Sequence, residues 1–247
     1  MSARDIRRVA ERGHIQTSWL EGYCSFSFGS YQRVDRRHFG ALRVLNEDWI
    51  APASGFAMHP HENLEILLMP LQSVTAHKDS LGNRMNVCLD ELLVMHTGRG
   101  IRHSQMNASD TEPDHHLQLW FLPLQRGGEP AMAHVRFDPV MRRNRWELWA
   151  SGHREFGVSA IDVKVRVFRA SLQPDSLLNP PIHGACSAHL HVGTGHILVQ
   201  LLDNFEPVIA LVAGDALALP LTTNFCVQAL KTAEIFLIQQ PEFHPDA

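Results

Sequence analysis

Short runs of apolar or alternating residues, each closed by turn-forming residues, follow one another along most of this chain. They read "GYCSFSFG", "LEILLMPL", "SVTAHKDS", "ELLVMHTG" and "HLQLWFLP", then "VKVRVFRASL", "AHLHVGTGHILVQLL", "PVIALVAG", "DALALPL" and "EIFLIQQP". Runs of strand length, separated by Gly, Pro, Asn and Asp and without a sustained 3.6-residue apolar period, predict an all-β sandwich or barrel. A chain of 247 residues is long enough for two such domains.

An internal echo supports the division. "LDELLVMHTGRGIRHSQMN" followed by "HLQLWFLP" is matched later by "AGDALALPLTTNFCVQALKTAEIFLIQQP", each an acidic turn, a strand, a break and a closing apolar strand. Between them "FLPLQRGGEPAMAHVRFDP", with its Pro and Gly, reads as a linker, giving domains at 1–133 and 134–247. The first copy has "GRGIRHSQ" where the second has "LTTNFCVQ", so chemistry is expected in the first half.

Lys and Arg total 22 against 26 Asp and Glu, which lacks the basic excess that binding a phosphate backbone demands and speaks against nucleic acid as a direct partner. The four cysteines are scattered and form no CxxC pair, so neither a zinc knuckle nor a disulfide framework is indicated, and they are expected to be reduced and mostly buried. The opening "MSARDIRRVAERG" is charged, and no run approaches the roughly 18 apolar residues of a membrane span. These features predict a cytoplasmic protein without a membrane partner.

The informative anomaly is sixteen histidines, concentrated between residues 59 and 116 and set singly or in pairs inside apolar segments. In "MHPHENLEILLMP" two histidines and a glutamate interrupt what reads as a buried strand, where an unpaired polar group costs several kcal/mol. Were the strand regular, His59, His61, Asn63 and Glu65 would share one face. "HTGRGIRHSQMN" would bring His103 from a neighbouring strand, with Gln105 pointing the same way. Three neutral imidazoles with an oxygen donor and open positions suit one divalent iron, nickel, copper, manganese or zinc ion. Open positions admit water, dioxygen or a bidentate oxygen substrate.

These segments also carry a family resemblance. "HPHENLE" fits the HxH(x)3E part of the first cupin motif, and "GRGIRHSQMN" fits the Gx2Hx3N tail of the second through Gly100, His103 and Asn107. Together with "FGALRVLNED" and "HKDSLGN" they resemble the pirin family, especially its bacterial members, over residues 12 to 145. The resemblance implies two cupin (jelly-roll) β-barrels in one chain, with a single metal, often iron, in the N-terminal barrel. It implies either quercetin 2,3-dioxygenase-type oxidation of a flavonol-like phenol or a non-enzymatic regulatory role through a protein partner; a metal-free cupin is a third reading. The family's ligand pattern carries over to His59, His61, His103 and position 105.

Position 105 is glutamine where the family has glutamate. A carboxamide brings no negative charge and has no basic pKa near neutrality, so a general base is lost there. Because other cupins use the motif position of Glu65 as a carboxylate ligand, Gln105 and Glu65 are the candidate catalytic residues, with Glu65 expected to replace the missing carboxylate. His77 and the pair His115 and Gln118 are read as supporting or core groups. His189 and His191 repeat the HxH spacing without an acidic follower and are expected at the solvent or a subunit contact. The basic "MRRNRWELW" reads as a solvated face.

Overall fold

The strand-sized runs do form strands. The computed structural model of the chain describes residues 5–153, 155, 157–181, 186–202, 207–219 and 224–241. It divides into two compact units, Arg12–Phe137 with Ile161–Val163, and Met1–Glu11 with Asp138–Ala160 and Lys164–Ala247. Among the described residues the only helices are two short 3-10 turns, Val9–Glu11 and Pro139–Arg142.

In chain order, β1 (Asp5–Arg7) opens the chain; β2 (Gly13–Gln16), β3 (Leu20–Cys24), β4 (Leu42–Ile50), β5 (Gly55–His61), β6 (Glu65–Gln72), β7 (Thr75–Asp79), β8 (Arg84–Val87), β9 (Glu91–His96), β10 (Ile101–Asn107), β11 (Asp114–Phe121) and β12 (Ala131–Arg136) follow. β13 (Glu147–Ser151), β14 (Ser159–Ala160), β15 (Arg166–Leu172), β16 (Leu177–Leu178), β17 (Ser187–Leu201), β18 (Ile209–Val212), β19 (Ala216–Leu219) and β20 (Phe225–Gln240) complete it.

The N-terminal unit holds two antiparallel sheets, one ordered β5-β10-β7-β8 and the other β12-β9-β6-β11-β4-β3-β2. Side chains alternate between the faces of a strand, so β10 buries Ile101, His103, Gln105 and Asn107 and leaves Arg102 out. The interior is apolar where Ile66, Met95 and Ile101 pack together and where Leu68, Val87 and Leu93 do. Each such side chain contributes about 1.5–3 kcal/mol. Other interior positions are polar, and these form the candidate site.

The C-terminal unit is built on one sheet ordered β1-β19-β17-β20-β15-β13-β14, with β16 on β20 and β18 on β17. Its core gathers Leu190, Val192, Ile197, Val199, Val227, Ile235 and Leu237. β17 and β20 change register together between Val192 and Ile197. Gly195 allows it: its φ is +88°, and a Cβ there would lie 2.2 Å from the Thr232 carbonyl oxygen.

Several sequence expectations are corrected. The expected linker contributes β12, which pairs along its whole length with β9. His189 and His191 are buried in β17 instead of facing solvent. The basic run 141–149 is not wholly solvated, because Arg142 and Trp149 are buried with the Arg142 guanidinium over the Trp149 ring. Cys24 is buried, whereas Cys88 and Cys226 are only partly so. In "LTTNFCVQ", Leu221, Thr222 and Thr223 lie outside the described residues.

Candidate metal centre

Antiparallel pairing of β5 with β10 sets His103 opposite His59 and Ile101 opposite His61. The close approach of these strands depends on Gly55, where a Cβ would lie 2.3 Å from the Gln105 carbonyl oxygen. One ring nitrogen from each of His59, His61 and His103 lies within 4.8 Å of those of the other two. The rings sit close, with centroids 4.5–5.0 Å apart.

The hydrogen bonds leave nitrogens open for an ion. His59 Nδ1 meets the Ala57 carbonyl oxygen at 2.8 Å and so carries the proton, leaving Nε2 with its lone pair. His61 Nε2 and His103 Nε2 are buried and lack a hydrogen-bond partner. Orphaned buried acceptors need an explanation, and a cation shared by the three rings supplies one. Burial, then the neighbouring His59, pushes the His61 pKa down to about 4. Burial, then His59, His61 and His77, pushes that of His103 down to about 2. Both rings are therefore neutral at pH 7, the form that ligates. The triad suits a divalent metal, and it contains no carboxylate.

Glu65 stands apart from the triad, contrary to the expected shared face. The chain turns at Asn63, whose φ is +54°. Asn63 N–H donates to the Gly98 carbonyl, Leu64 N–H to Thr97 Oγ1, and Asn63 Oδ1 accepts from Gly127 N–H. That turn moves the chain from the β5 sheet to the β6 sheet. In β6, Leu68 and Ile66 pair with Gln118 and Trp120, while Glu65 pairs with Phe121 and so lies on the opposite face from those residues. Its carboxylate accepts from His96 Nδ1 at 2.6 Å and from the Asp162 N–H at 3.2 Å.

Gln105 belongs to a hydrogen-bonded chain that crosses the interior. The Trp120 indole N–H donates to Gln118 Oε1 at 2.6 Å, Gln118 Nε2 donates to Gln105 Oε1 at 2.8 Å, and Gln105 Nε2 lies 2.7 Å from His116 Nε2. An indole can only donate, so Trp120 sets the direction of both amides, and His116 in its neutral form accepts at Nε2. His116 Nδ1 then donates to Asp114 Oδ1 at 3.0 Å, and the Thr75 hydroxyl donates to Asp114 Oδ2 at 2.6 Å. Burial disfavours the His116 imidazolium, but Asp114 and Asp48 outweigh it and raise the pKa, so acid that charges the ring would put a proton on Nε2 and break its contact with Gln105. Both polar atoms of the Gln105 amide are thus engaged away from the triad.

His116, Asp114 and Trp120 were not singled out from the sequence. The signal was present, since His116, Gln118 and Trp120 fall at the two-residue spacing of one strand face. His115, grouped with Gln118 in the sequence reading, faces the other way and meets Glu47 at 2.9 Å. Aromatic rings flank the triad: Trp120 lies edge-on to His61 with centroids 4.7 Å apart, Phe28 on Trp120 at 5.4 Å, and Phe56 beside His59 at 6.1 Å. A cavity of about 480 Å³ opens at His61, bordered by Pro60, Ile101, Glu62, Ser80 and Arg102.

The sequence model of the family described as Pirin matches residues 5–121. A Zymomonas mobilis protein, whose name assigns it provisionally to quercetin 2,3-dioxygenase, is 32% identical over 229 residues, 92% of this chain and 93% of that one. The chain belongs to the pirin family. The structure of a bacterial pirin from Escherichia coli in complex with nickel(II) superposes with a TM-score of 0.87 at 29% identity, over 96% of this pirin and 99% of that chain. A quercetin 2,3-dioxygenase of Escherichia coli is 42% identical over 135 residues, 55% of this pirin and 58% of that protein, so the match spans little more than half the length of that relative. The expected all-β, two-cupin fold class agrees with these likenesses. No helix among the described residues is long and apolar enough to cross a membrane.

Proposed function

We propose that His59, His61 and His103 of this pirin hold one divalent transition metal, iron first with nickel, copper, manganese or zinc as alternatives, and that the loaded protein oxidises a flavonol-like phenol with dioxygen. The observation that carries this reading is the convergence of three imidazoles, two of them with buried and unpartnered Nε2 atoms. The bound metal would supply Lewis acidity and a path for electrons between the phenol and dioxygen.

The protein's own residues would do the rest. Trp120, Phe28 and Phe56 offer flat apolar surfaces beside the triad, suited to the face or edge of an aromatic ring. No residue of the triad group can serve as a carboxylate base, so the substrate would arrive already as its phenolate.

Gln105 favours a second reading, a binding protein whose loaded or vacant site shapes the surface it presents to a protein partner. The experiment that separates the two is aerobic turnover of quercetin by iron- or nickel-loaded protein beside its Gln105→Glu variant. Turnover by the wild-type chain, absent in His103→Ala, supports the dioxygenase reading. Turnover by the Gln105→Glu variant alone overturns it in favour of a binding protein derived from an enzyme.

A further inference from the structure

Asp79 closes β7, and its carboxylate is saturated by donors. Oδ1 accepts from the Leu81 N–H at 2.9 Å, the Asn83 N–H at 3.1 Å and Asn83 Nδ2 at 3.2 Å, while Oδ2 accepts from Asn83 Nδ2 at 2.9 Å and from His77 Nε2 at 3.1 Å. A carboxylate only accepts, so His77 carries its proton on Nε2 and its Nδ1 holds a lone pair. That Nδ1 faces His103 Nδ1 at 3.5 Å. His103 therefore carries its own proton on Nδ1, and its Nε2, the buried atom without a partner, is left as the donor. With both rings neutral this arrangement of protons has one solution. His77, Asp79 and His103 are all at least 96% buried, so water offers little competition.

We propose that Asp79, acting through His77, is the positioning residue that fixes the tautomer of His103 and lends the all-histidine triad the anionic character that glutamine at position 105 withholds. The proposal rests on the metal reading given above for its functional meaning. The three ligands then differ: His59 leans on a neutral carbonyl oxygen at Ala57, whereas His103 is backed by a carboxylate at one remove. A carboxylate behind an imidazole raises its basicity and orients the ring, and losing such a partner typically weakens metal binding about 10–100-fold.

Asp79→Asn provides a nearly isosteric test. The asparagine oxygen can still accept from Leu81 and Asn83 and keep the hairpin, but its amide would face His77 Nε2. His77 must then move its proton to Nδ1, and His103 must move its own to Nε2, the ligating atom. Nitrogen-15 imidazole spectra of the metal-free protein should show His103 as the Nδ1–H tautomer in wild type and as the Nε2–H tautomer in Asp79→Asn. Cobalt(II) titration should show about 10–100-fold weaker binding in Asp79→Asn and in His77→Phe, with recovery in His77→Gln, whose side-chain oxygen can accept from His103. An unchanged His103 tautomer in Asp79→Asn overturns the proposal, as does cobalt(II) affinity within about twofold of wild type in both Asp79→Asn and His77→Phe. If wild type itself takes up no cobalt(II), the metal reading fails, while the tautomer comparison still decides the role of Asp79.

Discussion

Gln118 donates its amide N–H to Gln105 Oε1 at 2.8 Å, tying β11 of one sheet to β10 of the other across the interior of the N-terminal unit. That bond engages the one atom of Gln105 that could ligate a cation. Position 105, where the resemblance implies a glutamate ligand, is occupied here by a link in a polar chain that begins at Trp120 and ends on Asp114.

Gln105→Ala should therefore retain the metal and lose stability. Removing the amide strands the Gln118 N–H and the His116 Nε2 in the interior, at a cost of about 1–3 kcal/mol for each unsatisfied group. Urea denaturation should show the loss, while elemental analysis finds the same metal content as wild type. Loss of the metal would make Gln105 a ligand.

Glu65→Ala should behave similarly for a different reason. Its carboxylate holds His96, whose pKa it raises through their hydrogen bond, and the backbone of Asp162. Deleting it should destabilise the N-terminal unit by about 1–3 kcal/mol with metal content unchanged. A drop in metal content with stability intact would return Glu65 to the ligand set.

Asp48 gives a dependence on pH that can be read by difference. Burial pushes its pKa up to about 6, against the pull of His116 and Arg12. The folded state then keeps its proton where the unfolded state has lost it. Between the ordinary carboxylate pKa near 3.8 and about 6, rising pH costs wild type stability relative to a side chain that does not titrate. Asp48→Asn should gain on wild type across that window, with a slope of at most about 1.4 kcal/mol per pH unit, and level off above it. Thermal denaturation in a pH series measures the slope, and a flat difference would contradict a raised Asp48.

The fold class and the three histidines were legible because both write a short-range pattern into the chain. Strand-length runs between turn residues announce an all-β fold, and HxH followed by a later "GIRHS" announces two strands that meet. Glu65 was misplaced because strand alternation carries only as far as the strand continues, and one left-handed residue, Asn63, ends it and sends the chain to the other sheet. The buried state of His189 and His191 was also out of reach, since it depends on β17 lying between β19 and β20. The partners of Gln105 and His103 lie on β11 and β7. Pairing between strands decides such contacts, and no local spacing states it.

Elemental analysis of the purified chain, loaded in turn with iron(II) and nickel(II) and freed of excess ion, bears on the triad itself. Wild type should retain about one ion per chain, and a variant with His59→Ala, His61→Ala and His103→Ala together should retain none while keeping its β-sheet circular dichroism. Equal metal in both proteins, or none in wild type under either loading, would contradict a metal centre at these three histidines.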